Sequence, residues 1–222
     1  MTKVVLIRHA RSTANAEGVL AGRMPGVKLD EVGRRQARDI GELLAGAAIA
    51  AAYTSPIERC RETALLAGYP DAAVLEGLSE CDYGVWTGAS LASLREENLW
   101  AEIQSTPSSV AFPGGESMVE MFERTVAAVT TLAAGHRDDE TVVVFSHGDP
   151  IKAILAHAFG MALDDFQRLH VGPAGLSVVE YSGGRPTVLC VNVGGDLTAL
   201  LGASPPPAVG GGDVAPGAVG AG

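Results

Sequence analysis

Short apolar runs alternate along the chain with stretches whose apolar residues recur at helical spacing. Residues 4–7 and 141–145 are unbroken runs of high strand propensity, which is typical of strands buried on both faces of a parallel sheet. Residues 49–54 predict a third, shorter strand. Residues 175–181 and 186–193 flank a glycine pair and predict a hairpin that closes the sheet.

Helices are predicted between these strands. Asp30 is a candidate N-cap for a helix that ends near Gly46, and Ser55-Pro56 has the cap and first-position residues of a second helix. Further helices are predicted over residues 90–103 and 116–134, and another is predicted to run through Phe159 after the segment 146–150. The alternation predicts an α/β fold, a three-layer sandwich with a mostly parallel central sheet.

Both strong strands end in a histidine that is followed by a small residue. Arg8-His9-Ala10 follows the first strand and Ser146-His147-Gly148 follows the other, and the carboxyl ends of parallel strands are where open α/β sheets bind ligands. Arg59 lies in the first turn of the helix after residues 49–54, whereas Arg61 points about 200° away around that helix. Guanidinium groups beside an imidazole suit a phosphate that the imidazole can attack.

The net charge of the chain favours a small molecule as its ligand. The 222 residues carry a net charge of −10, which disfavours nucleic acid and anionic membranes as partners. A local cationic pocket can still hold a small phosphate ester, because short-range contacts dominate within about 10 Å. No histidine pair has metal-ligand spacing and no P-loop is present, so we expect neither a metal nor a cofactor.

The cellular compartment is predicted from cysteine usage and from the amino terminus. Three cysteines form no paired pattern, which favours a reducing environment. The sequence starts almost directly with the first strand, and no run of about 18 apolar residues could span a membrane. We therefore expect a cytoplasmic protein.

At this point the motifs resemble a known family. The chain resembles the histidine phosphatase superfamily, in its phosphoglycerate mutase-like branch, in order over about residues 3–195. The matching segments are Arg8-His9 through Asn15, residues 29–37, Ser55-Pro56 through Ala64, residues 80–88, residues 112–117 and Ser146-His147-Gly148. The resemblance implies a domain over residues 1–200, and the Gly- and Pro-rich residues 201–222 are expected to be a disordered tail.

The resemblance also implies roles for individual residues. His9 would be the nucleophile and Glu80 the general acid; the sequence does not tell whether burial raises or cations lower the pKa of Glu80. Arg8, Arg59 and His147, the last as an imidazolium, would neutralise the phosphate. The expected substrate contacts are Ser12, Asn15, Gly22 and Gly148.

Two acidic residues and one arginine are interpreted separately. Glu31 and Glu116 are expected to be helix-start carboxylates that complement the helix dipole. Arg11 stands where the family commonly has an acidic residue or glutamine. It is expected either to meet a second anionic group of the substrate or to form a surface ion pair.

The function that follows is a metal-independent phosphomonoesterase that hydrolyses a small phosphorylated metabolite through a phosphohistidine. A phosphoglycerate mutase is the alternative, but residues 101–112 contain no lysine or arginine to clamp a carboxylate. A non-enzymatic phosphate-binding protein is the third hypothesis. For the oligomeric state, a homodimer is a candidate.

Overall fold

A computed structural model describes residues 1–194 and Val209. The strands are β1 (Thr2–Arg8), β2 (Ile49–Thr54), β3 (Ala73–Val74), β4 (Thr141–Ser146), β5 (Leu176–Tyr181) and β6 (Thr187–Val193). The helices are α1 (Thr13–Glu17), α2 (Glu31–Leu44), α3 (Glu58–Leu66), α4 (Leu91–Leu94), α5 (Asn98–Ser105), α6 (Met118–Ala134) and α7 (Gly148–Phe159). Short 3-10 helices occupy Glu76–Leu78, Gly84–Trp86, Pro107–Ser109 and Leu163–Arg168.

The six strands form one sheet in the order β3-β2-β4-β1-β5-β6. Strands β1 to β4 run parallel, and β5 and β6 form the antiparallel hairpin that the sequence predicts. Successive side chains of a strand point to opposite faces, so Val4 and Leu6 pack with α6 and α7. Val5 and Ile7 pack with α2 and α3 on the other face. The fold is therefore the predicted α/β sandwich.

A third apolar cluster lies outside the two sheet faces, and it contains the indoles of Trp86 and Trp100 stacked with ring centroids 6.4 Å apart. Val209 is buried in the same cluster. The rest of the predicted tail, residues 201–222, lies outside the described residues. No helix in the part of the chain that the structure describes is long and apolar enough to cross a bilayer.

One predicted helix start is confirmed, and others are wrong. Helix α2 begins after Asp30, whose carboxylate caps it as expected. Helix α3 instead begins at Glu58 with Ile57 as its N-cap, and the hydroxyl of Ser55 contacts both His147 and the backbone N–H of Ile57. Ser12 caps α1, a five-residue helix that the sequence analysis did not predict.

The single helix predicted over residues 90–103 is two helices, α4 and α5. Leu91 and Trp100 are both buried, yet nine residues of one straight helix would place them about 180° apart. The break at Glu97, whose backbone is extended, allows both side chains to face the apolar cluster.

Candidate active site

The sheet brings the two strand-end histidines together. Strands β1 and β4 are parallel neighbours with Arg8 opposite Ser146, so His9 and His147 follow at the same edge. Their ring centroids are 5.2 Å apart in an edge-on arrangement. Strand β2 pairs with the other side of β4, and α3 carries Arg59 back to this edge.

Arg59 joins the two rings. Its Nε donates to Nε2 of His9 at 3.0 Å, and its Nη2 donates to the carbonyl of Gly22 at 2.8 Å and lies 3.1 Å from Nδ1 of His147. Nη1 of Arg59 is buried with no hydrogen-bond partner among the described residues. A buried guanidinium with a spare donor is suited to an incoming anion.

These contacts define the tautomer of His9. Its Nδ1 lies 2.8 Å from the carbonyl of Ala10, which can only accept, so Nδ1 carries the proton. Nε2 therefore carries the lone pair, to which Arg59 donates. Burial, and then the charges of Arg59 and Arg8, hold the pKa of His9 well below its ordinary value. The ring is neutral and its Nε2 is nucleophilic.

His147 is neutral as well. Burial, followed by the charge of Arg59, holds its pKa well below the ordinary value. Burial thus disfavours the imidazolium form of His147, and the expected role of His147 as an imidazolium stays a prediction. Its Nδ1 faces Arg59, so the proton lies on Nε2, which is 2.8 Å from the hydroxyl of Ser55.

Arg8 is fully buried at the end of β1 and donates from Nη1 to the carbonyl of Val171 at 2.7 Å. Two arginines thus lie with two neutral imidazoles in a pocket shielded from water. A buried guanidinium with an open donor, such as Nη1 of Arg59, is stabilised by a bound anion. The arrangement suits a dianionic group such as a phosphoryl.

Glu80 is buried, with 1 % of its surface exposed. Burial, reinforced by the negative charge of Asp149, raises the pKa of Glu80 to about 7, although Arg59 opposes the change. Burial therefore outweighs the cations, which answers the question that the sequence left open. A carboxyl with this pKa can carry a proton at neutral pH.

A cysteine also contacts the cluster, with Sγ of Cys60 3.4 Å from Nε2 of His147. Burial raises the pKa of this thiol. A thiol that stays protonated is a poor nucleophile, so the imidazole of His9 is the better candidate.

The expected substrate-contacting residues divide into two groups. Gly22 and Gly148 lie at the cluster, the first as an acceptor from Arg59 and the second directly after His147. Ser12 and Asn15 instead form the capping box of α1, in which the Oδ1 of Asn15 accepts from the backbone and hydroxyl of Ser12.

Arg11 turns away from the cluster. Its Nε and Nη2 both lie 2.7 Å from Oδ2 of Asp30, the cap of α2. The structure therefore has the ion pair that the sequence allowed as the alternative to substrate binding.

Glu116 organises a loop rather than the start of a helix. Ser117 is the N-cap of α6, and the carboxylate of Glu116 accepts from the backbone of Asp82 and from Arg124 and Arg23. Arg23, which the sequence did not single out, also donates from Nε to the carbonyl of Glu80 at 2.9 Å. Tyr83 and Asp149, joined by a hydrogen bond, were missed too.

No cluster of three or more potential metal ligands occurs among residues 1–194 and Val209. The model for the histidine phosphatase superfamily (branch 1) matches residues 4–194. The chain belongs to the histidine phosphatase superfamily. This confirms the resemblance seen in the motifs.

Individual members of the superfamily are similar over most of this chain. It is 34% identical over 207 residues to Bifunctional protein Rv2228c of Mycobacterium tuberculosis, a match that covers 88% of this chain and 55% of that protein. The chain therefore spans about half the length of this mycobacterial relative. It is 29% identical over 201 residues to Phosphoserine phosphatase 1 of Hydrogenobacter thermophilus, covering 87% and 93%. The solved structure of Bacillus stearothermophilus YhfR matches with a TM-score of 0.78 at 27% identity, covering 85% of this chain and 96% of that one.

Proposed function

We propose that this histidine phosphatase is a metal-independent phosphomonoesterase that acts through a phosphohistidine on His9. The observation that carries the proposal is the Arg59 N–H held 3.0 Å from the lone-pair nitrogen of a buried, neutral His9. Such a donor both stabilises an oxyanion and keeps the nucleophile unprotonated until an anion arrives.

In the first step, the phosphoryl group enters between the two histidines. Its oxygens accept from Arg8 and Arg59, so the N–H of Arg59 leaves Nε2 of His9 and bonds to phosphate. The negative charge of the phosphate favours uptake of a proton from solvent at Nδ1 of His147, which then donates to a phosphoryl oxygen as an imidazolium. Nε2 then attacks phosphorus and the P–O ester bond breaks. Glu80 donates its proton to the departing oxygen, which would otherwise leave as a high-energy alkoxide.

In the second step, water hydrolyses the phosphohistidine. Glu80, now a carboxylate, takes a proton from the water as its oxygen attacks phosphorus. The P–N bond breaks and its electron pair returns to Nε2 of His9. Inorganic phosphate leaves, and both His9 and Glu80 regain their starting protonation states.

The substrate is a small phosphorylated metabolite, and Arg23 is our candidate for recognition of a second anionic group on it. Its side chain is 39% exposed, and its Nε contacts the backbone of Glu80 beside the reacting atoms. Both arginines have a carboxylate partner, Glu116 for Arg23 and Asp30 for Arg11, but Arg11 turns away from the cluster and is less suited to this role. A relative named for phosphoserine, whose carboxylate such an arginine could bind, supports the proposal.

Hydrolysis of p-nitrophenyl phosphate with and without excess EDTA tests the function, using wild type, His9→Ala and Arg61→Ala. Arg61 is exposed on the same helix as Arg59 and serves as the matched control. We expect activity in wild type and Arg61→Ala, unaffected by EDTA, and none in His9→Ala. Acid-labile, base-stable phosphoprotein should be trapped from wild type only.

Other results would support the alternatives. Equal rates for wild type and His9→Ala, or no hydrolysis by either, would favour a phosphate-binding protein. Rapid interconversion of 3- and 2-phosphoglycerate in the presence of the bisphosphate primer would favour the mutase.

We propose a reducing compartment, the cytoplasm, which is supported by the free thiols of Cys60, Cys81 and Cys190. The net charge of −10 supports the absence of nucleic-acid partners. A homodimer stays a prediction.

A further inference from the structure

Asp149 is a carboxylate buried beside the candidate active site, two residues after His147 in the first turn of α7. It is completely inaccessible to solvent. The hydroxyl of Tyr83 donates to its Oδ2 at 2.7 Å, and Nζ of Lys152 lies 3.9 Å from its Oδ1. Burying a carboxylate costs free energy, whereas an acid that only complements the helix dipole can remain at the surface. The burial of Asp149 therefore indicates a role in the candidate active site.

Tyr83 connects Asp149 to the segment that carries the general acid. It lies three residues after Glu80, is itself fully buried, and packs edge-on against Phe112 with ring centroids 5.0 Å apart. Burial and the neighbouring Asp149 raise the pKa of Tyr83 well above its ordinary value, so its hydroxyl remains a donor. This hydrogen bond ties the segment of Glu80 to the helix that follows His147.

The charge of Asp149 also acts on Glu80 directly. Two arginines of the phosphate site, Arg8 from β1 and Arg59 from α3, favour the ionised form of Glu80, and Asp149 from α7 favours the protonated form. Other titratable or charged groups of the described residues that interact with Glu80 include Cys60, Cys81, Tyr83, Arg124 and Arg23. Among these neighbours Asp149 carries the negative charge that opposes the arginines.

We propose that Asp149 is a positioning residue for the general acid: it anchors the segment that carries Glu80 through the hydroxyl of Tyr83, and it places a second buried carboxylate beside that segment. It touches neither the substrate nor phosphorus. The inference rests on the proposed role of Glu80 as acid. It extends that role by explaining how a carboxyl that must be protonated can operate beside two arginines.

The test compares Asp149→Asn with Tyr83→Phe and Lys152→Met. For each, kcat/KM for p-nitrophenyl phosphate is measured across pH, and the ¹³C signals of labelled glutamate carboxyls are titrated by NMR. The Glu80 signal is assigned by its loss in Glu80→Gln. The NMR titration needs no turnover, so a failure of the proposed function remains distinguishable from a failure of this inference.

We expect Asp149→Asn to move both the Glu80 titration and the alkaline limb of kcat/KM to lower pH. Each pH unit of displacement corresponds to about a tenfold lower rate on that limb. Tyr83→Phe keeps the charge and should lower kcat at every pH without moving the limb. Lys152→Met removes the cation beside Asp149 and should not move the limb downward.

Two results would overturn the inference. One is a Glu80 titration that is the same in folded Asp149→Asn as in wild type, which would limit Asp149 to a structural role. The other is an equal downward displacement in Lys152→Met, which would attribute the effect to general disturbance of α7. If Asp149→Asn does not fold, Tyr83→Phe decides. An alkaline limb of kcat/KM that is displaced to lower pH in Tyr83→Phe, with kcat unchanged at pH values below that limb, would contradict the anchoring role.

Discussion

Glu80→Gln should stabilise the fold above neutral pH while it removes the proposed general acid. In the folded protein the pKa of Glu80 is about 7, above its ordinary value of 4.5. The folded protein therefore retains a proton that the unfolded chain releases between these two values. The stability contributed by this group is fully present below pH 4.5 and is lost as pH rises through about 7.

The difference between the two pKa values of Glu80 corresponds to about 3 kcal/mol of unfolding free energy at pH 8. Glutamine resembles the protonated acid and cannot ionise, so the variant avoids this loss. We therefore expect the stability of Glu80→Gln relative to wild type to increase by about 3 kcal/mol between pH 4.5 and pH 8. Comparing two pH values cancels any pH-independent difference in packing.

Urea unfolding followed by the fluorescence of the buried Trp86 and Trp100 measures this change. Glu76→Gln is the matched control, because Glu76 is exposed and lies four residues earlier. Its stability relative to wild type should stay within about 0.5 kcal/mol at both pH values. If Glu80→Gln behaves like this control, the conclusion that Glu80 is held protonated by burial is wrong.

Four further predictions concern the phosphate site and its surroundings. Arg59→Lys should lower kcat/KM for p-nitrophenyl phosphate by about 100- to 1,000-fold, because lysine lacks the planar fork. The kcat/KM of the control Arg61→Lys should stay near the wild-type value, and similar losses in both variants would contradict the contacts assigned to Arg59. Since the pKa values of His9 and His147 are lowered, kcat/KM corrected for substrate ionisation should show no acid limb near pH 6.5, and a limb there would mean that an imidazole titrates in the ordinary range. Arg23→Gln should raise KM for phosphoserine more than KM for p-nitrophenyl phosphate, while Arg11→Gln should change the two equally; steady-state kinetics with both esters decides. Gly22→Ala should destabilise the fold by about 1–3 kcal/mol in urea unfolding, because φ is +48° and the new Cβ would lie 2.9 Å from the Tyr83 ring. Gly46→Ala is the control and should not destabilise the fold, because its Cβ would meet no atom within 4 Å.

The sequence was most informative where one local signal determines the structure. The apolar runs of β1 and β4 predict buried parallel strands, and their shared carboxyl edge predicts that His9 and His147 meet. The cap at Asp30 predicts the start of α2 to the residue. These are local propensities that tertiary packing reinforces.

Prediction failed where a side chain has a distant partner. Ser55 has the local pattern of an N-cap, but its hydroxyl contacts His147, 92 positions away in the chain. Glu116 precedes a helix, yet its carboxylate joins Arg124 and the backbone of Asp82. The competition between burial and nearby cations at Glu80 likewise depends on distances between segments that no spacing rule supplies.

The proposed mechanism needs two opposite ionisation states in one small volume: an imidazole without its second proton and a carboxyl with one. Burial alone favours both, because it penalises the charged form of either group. The arginines that bind phosphate reinforce the neutral state of His9 but oppose that of Glu80. The arginines therefore act against the burial that keeps the proposed general acid protonated, and a negative charge near that acid acts with the burial. In our proposal Asp149 supplies that charge from the helix that begins after His147, so one helix start would serve both the phosphate and the proton donor.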